Sequence, residues 1–109
     1  MAEEVLLVLT TWPDTDRARA AARTLVTEQL AACANIVPQI ESIYRWQGAV
    51  EESSETLMLL KTTIGRYALL EKRIKELHSY EVPEIISFRA SDGLPAYLRW
   101  VEDSCVGEC

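Results

Sequence analysis

Paired cysteines are missing from this chain: its three cysteines, Cys33, Cys105 and Cys109, include no CxxC spacing. An odd set of this kind makes neither a disulfide framework nor a zinc ribbon, and it lacks the paired-cysteine loop of a soft-metal chaperone. Histidine is scarcer still, with one in the chain, His78. Positive charge is in deficit: 11 Lys and Arg face 17 Asp and Glu, for a net charge of −6. That balance disfavours recognition of phosphate backbones or anionic membranes, which proceeds through clustered cations. RNA-binding modules need stacking aromatics in basic surroundings, and the sequence shows neither. No nucleic acid and no membrane partner is therefore expected. The longest apolar runs, such as Val5 to Leu9 and Leu57 to Leu60, fall far short of the roughly 20 residues of a membrane span. The acidic start Met-Ala-Glu-Glu lacks the basic opening of a secretion signal, so a cytoplasmic location is expected. No GxSxG, HExxH, Walker or glycine-rich dinucleotide motif occurs, and an enzyme is not expected.

What is present fits one globular domain over residues 1–109, with 49% hydrophobic and 26% charged residues, and a flexible tail from about 104 to 109. Val5 to Thr11 is an apolar, β-branched run closed by Trp12-Pro13 and predicts a buried strand. Asp14, Thr15 and Asp16 can cap a following helix. Its apolar stripe is Ala18, Ala22, Leu25, Val26, Gln29, Leu30 and Cys33. From Ala34 to Gln47 the period changes to two, which predicts a long strand with Ile36, Pro38, Ile40, Ser42, Tyr44 and Trp46 on one face. Pro38 cannot donate a ladder hydrogen bond, so an edge position or a bulge is expected there.

Gln47-Gly48-Ala49 supplies a turn, and the return strand runs from Val50 to Thr63. Its Leu57-Met58-Leu59-Leu60 stretch is apolar on both faces. A second helix begins near Gly65, buries Tyr67, Leu70, Ile74 and Leu77, and ends at His78-Ser79. Pro83 blocks continuation, Glu84 to Ala90 reads as a fourth strand, and Pro95 opens a short terminal helix with Tyr97, Leu98, Trp100 and Val101. The order β-α-β-β-α-β plus a short helix gives an α+β, ferredoxin-like antiparallel sheet. Such a monomer bares one sheet face, yet the sequence puts Leu and Met there and adds a long apolar hairpin. Self-association is the expected remedy.

Four segments together resemble the CutA family of divalent-cation-tolerance proteins: Leu30-Ala31-Ala32-Cys33-Ala34-Asn35-Ile36, Ser42-Ile43-Tyr44-Arg45-Trp46-Gln47-Gly48, Leu60-Lys61-Thr62-Thr63 and His78-Ser79-Tyr80-Glu81-Val82-Pro83-Glu84-Ile85. Tyr97-Leu98-x-Trp100 fits as well. The resemblance implies a homotrimer like the PII signalling proteins, with hairpin strands pairing between subunits. It also implies a link to tolerance of copper and other divalent metals.

Candidate site residues follow from chemistry and position. His78 reads first as a helix C-terminal residue favoured by the dipole, then as a metal candidate, joined by Glu81 or Glu84, and then as an acid/base or ligand contact. Tyr80 and Pro83 serve turn packing or ligand contact. Glu84, a carboxylate opening an apolar strand, invites pairing with Lys61 or a backbone donor, or a place in a site. Lys61 is open between ligand binding and a structural ion pair, and Trp46 with Tyr44 between subunit packing and ligand stacking. Arg45 and Glu55 are interfacial or solvated. The expected function is binding of a divalent cation or small ligand in clefts between subunits. No cofactor is obligatory, Cu2+ being an optional ligand. The alternative is a PII-like signalling or scaffolding trimer with a protein or metabolite partner.

Overall fold

The computed structural model describes residues 4–106. Seven elements follow in order: β1 (Val5–Trp12), α1 (Thr15–Thr27), β2 (Cys33–Trp46), β3 (Ala49–Thr63), α2 (Tyr67–Leu77), β4 (Ile85–Arg89) and α3 (Pro95–Ser104). The four strands form one antiparallel sheet in the order β2-β3-β1-β4, the ferredoxin-like arrangement expected from the sequence. Helix α1 starts where Asp14 accepts a hydrogen bond from the Arg17 N–H at 2.7 Å. It stops because Gln29 turns left-handed, with φ 60°. The Gln29 and Leu30 N–H groups then close onto the carbonyls of Val26 and Leu25, a Schellman ending with glutamine where glycine is usual.

Strand pairing assigns each side chain to a face. Val8 of β1 stands opposite Leu60, and Thr10 opposite Met58. These side chains meet Ala18, Ala22 and Leu25 of α1 and Leu70 and Ile74 of α2 in the main core. On the other face Leu7 stands between Lys61 and Phe88, and Leu9 between Leu59 and Ile86. Here Leu7, Leu9, Leu57 and Leu59 are only half-buried, and Ile86 and Phe88 are 47% and 49% exposed. The two-sided apolar pattern of β1 and β3 is thus real, while one of its sides is only partly covered.

The bulge expected at Pro38 has a larger effect than bending. Val37 pairs with Leu57 and Ile40 with Glu55, so β2 spends one residue more than β3, with Gln39 at φ 58°. That extra residue reverses the alternation. Ile36 shares its side with Met58, whereas Ile40, Ser42, Tyr44 and Trp46 share theirs with Glu55, Ser53, Glu51 and Ala49. The single face predicted to run from Ile36 to Trp46 is therefore split into two. Beyond the last β1–β3 pair, Trp12 with Thr56, β2 and β3 continue alone as a two-stranded ribbon closed by Gln47-Gly48, both at positive φ.

Other expectations change at the chain's end and along α1. Cys105, placed by the sequence in a tail, is 2% exposed and packs with Val5, Ala32 and Val101 in a second small core. Cys109 lies outside the described residues. Cys33 opens β2, half-buried, and Val26 is exposed, so the observed stripe of α1 is Ala18, Ala21, Ala22 and Leu25.

Candidate functional site

The end of β1 and the end of α2 converge on one stack of rings. Pro13 ends β1 just after Trp12, whose indole is buried, and α2 stops at Leu77, leaving His78 extended. The His78 imidazole lies on Trp12 with ring centroids 4.2 Å apart and an interplanar angle of 25°. Tyr80 lies against the same imidazole, tilted by 46°, with ring centroids 4.6 Å apart. Backbone groups fix the ring: His78 Nε2–H donates to the Thr11 carbonyl at 2.6 Å, and Nδ1 accepts from the Tyr80 N–H at 3.1 Å. That pattern corresponds to the neutral Nε2–H tautomer.

The outer ring of the stack then reaches across to the hairpin. Tyr80 Oη–H donates to Glu55 Oε2 at 2.8 Å. Glu55 is 8% exposed, the one buried acid among the described residues. Burial first, and then the Glu55 hydrogen bond and charge, push the Tyr80 phenol well above its ordinary range.

Between the ribbon and the 79–84 turn lies a groove of ≈ 800 Å³. Five carboxylates line it, Glu41, Glu51, Glu55, Glu81 and Glu84, with no lysine or arginine among the lining residues. Tyr44, Trp46 and Tyr80 supply aromatic wall, and Ile43 and Val82 aliphatic wall. A smaller hollow is lined by His78, Leu77 and Ser79 together with Arg17, whose Nη1 donates to Ser79 Oγ at 3.3 Å.

Of the residues singled out in the sequence, the fold brings Trp46, Tyr80 and Glu84, with Tyr44, Glu55 and Glu81, into this groove, and it places His78 against Tyr80 as the ring's support. Lys61 stands apart. It pairs across β1 with Leu7, while Glu84 just precedes the Ile85–Thr10 pair, a separation of about 13 Å along the sheet. Its ammonium donates to Asn35 Oδ1 on the neighbouring strand, in place of the Glu84 pairing considered from sequence. Glu41 and Glu51 were missed in the sequence. Glu51 could have been found from the hairpin register, which sets it opposite Tyr44. Trp12 was read only as a strand end, although an indole beside the final residue of a helix is what seats the histidine.

The donor set does not match a closed metal site within one chain. Among the described residues no three His, Cys, Asp or Glu side chains stand together as a metal would need. Both His78 nitrogens are engaged by backbone, so a metal at Nδ1 would have to displace the Tyr80 N–H. No helix among the described residues is long and apolar enough to cross a membrane.

Comparison with known proteins follows the same geometry. The family model described as "CutA1 divalent ion tolerance protein" matches residues 6–104. The divalent-cation tolerance protein CutA of Thermus thermophilus is 48% identical over 102 residues, spanning 94% of this chain and 97% of that protein. A solved structure of the Thermus thermophilus protein, named divalent cation tolerance protein (Cut A1), superposes with a TM-score of 0.90 at 47% identity, covering 92% of this chain and 97% of that one. The Xenopus laevis protein CutA homolog is 44% identical over 85% of this chain, but this chain spans only 62% of its length.

Proposed function

The chain belongs to the CutA1 divalent ion tolerance family, and we propose that it acts in the cytoplasm as a homotrimer, not an enzyme, which holds a cation such as Cu2+ weakly, or a small ligand, in grooves at subunit boundaries. The groove carries this reading: carboxylates drawn from two separate elements face one space with no lysine or arginine lining it. Such a surface raises the local concentration of cations without needing a closed ligand shell.

Association is supported by the half-covered sheet face and by the ribbon, which a monomer leaves unsheltered. Ile43 and Val50 on the ribbon are 68% and 63% exposed. A two-stranded ribbon with exposed apolar side chains is marginal by itself, and pairing with a neighbouring copy would cover both its edges and its faces. A neighbour there would also wall the groove.

Titration calorimetry with Cu2+, Zn2+ and Co2+ tests the cation reading. Saturable binding weakened several-fold by Glu84→Gln supports it. Absence of saturable binding, or binding left unchanged by both Glu84→Gln and His78→Ala, rejects it.

A further inference from the structure

Three features of the groove do not suit a bare metal ion, and together they define another ligand. The first is the distribution of charge. Glu41, Glu51 and Glu55 come from the ribbon, Glu81 and Glu84 from the turn after α2, and no three of them gather as a metal-holding group among the described residues. A closed protein site for a divalent ion needs three or more ligand atoms converging within about 2.6 Å of one point, which these spread carboxylates do not give.

The second is what lies between the charges. Tyr44, Trp46, Ile43 and Val82 interrupt the carboxylates with hydrocarbon and ring surface. A metal gains nothing from such walls. A chain of methylenes does, and so does an ammonium set over an aromatic face. The third is Glu55. Its side chain is mostly buried and lines the groove, and the one hydrogen bond its carboxylate makes is to the neutral Tyr80 phenol, through Oε2. Buried charge is costly unless compensated, so Glu55 marks a place for a positive group.

Spaced carboxylates, apolar stretches between them, a mostly buried acid with no cationic partner and a volume of ≈ 800 Å³, suited to a small organic molecule, describe the complement of a linear chain with several amino groups. We propose that the groove is a binding site for aliphatic polyamines, in which Glu55 and Glu84 pair with separated ammonium groups and Trp46 and Tyr44 cover the methylenes between. The inference rests on the reading that the groove is the binding site, and it names the ligand class.

Titration of the whole protein with spermidine as probe, in parallel with Cu2+, separates the two. The expected result is saturable spermidine binding that Glu84→Gln, Glu55→Gln and Trp46→Ala each weaken tenfold or more, while Asp92→Asn, outside the groove, leaves it unchanged. Trp46→Ala carries the most weight, because it removes no charge, and sedimentation of the variant beside the parent keeps a change in ligand binding apart from a change in assembly. Spermidine binding that ignores Trp46→Ala and Glu84→Gln would be diffuse attraction to an acidic protein and would overturn the inference. Groove-dependent Cu2+ binding without spermidine binding would overturn it while leaving the cation reading standing. Silence toward both would remove both. Displacement of spermidine by a lysine-rich peptide that binds more tightly would make the groove a peptide site and would likewise reject the proposal.

Discussion

Tyr80 and Glu55 are joined by a single 2.8 Å hydrogen bond that ties the turn after α2 to the base of the β2–β3 ribbon. The bond links two residues 25 apart in sequence, both of which line the groove. Upstream it is held by His78, which is itself clamped between Trp12 and the Thr11 carbonyl.

Removing the phenol should therefore cost more than an exposed substitution does. Tyr80→Phe keeps the ring on His78 but leaves Glu55 without its donor, a loss of about 1–3 kcal/mol. In Glu55→Gln the partner stays polar and uncharged, so the double variant should cost less than the two single changes combined. A double-mutant cycle by urea unfolding checks this, and strict additivity would mean that the contact contributes nothing.

Gln29 offers the opposite sign. Its φ of 60° places a side chain where the left-handed region suits glycine, and its side chain makes no recorded hydrogen bond. The contact that Arg66 makes to this residue is to its backbone carbonyl, which glycine retains. Gln29→Gly should raise stability by about 0.5–1 kcal/mol, read as a higher urea midpoint at unchanged m-value.

High pH should unfold the protein through its tyrosines. Burial first, and then the Glu71 hydrogen bond and charge, push the Tyr67 phenol up to about 12. An unfolded tyrosine ionises near pH 10. Between those limits the unfolded state holds fewer protons, so stability is full below about pH 10 and falls as pH rises toward about 12. Urea midpoints at about pH 9 and about pH 11 measure the fall, and Tyr67→Phe should make it shallower.

Helices, strands and their order were legible because side-chain periodicity is itself the cause of which face packs. The capping acid Asp14, the breaker Pro83 and the turn at Gln47-Gly48 carry their backbone preference in their own chemistry. The reversal of alternation in β2 was not legible, since it comes from one added backbone residue at Gln39, whose side chain announces nothing. His78 stands at the end of α2, as expected from the sequence, while the contacts that orient its ring were hidden for a related reason. Its partners are the Thr11 carbonyl and the Tyr80 N–H, and backbone groups leave no trace in residue identity. Lys61 and Glu84 looked like partners until the register separated them. Trp46, Tyr44, Tyr80, Glu55, Glu81 and Glu84, all named from the sequence, do line one groove. The acids Glu41 and Glu51 needed the ribbon's pairing to appear.

The half-open sheet face gives a variant whose effect depends on association. Phe88 is about half exposed in the single chain, so Phe88→Glu in a free monomer should shift stability by no more than about 0.5 kcal/mol. Buried against a neighbouring copy, the same carboxylate should cost several kcal/mol and split the assembly. Size-exclusion chromatography with thermal unfolding reads both effects, and a variant that keeps the elution volume and Tm of the parent would place Phe88 outside any interface.

Sedimentation equilibrium of the unmodified protein at micromolar concentration is the most direct measurement. The account predicts a mass three times that of the 12.3 kDa chain. A stable, folded species at the mass of one chain would contradict it, leaving the apolar face and ribbon without the shelter the account requires.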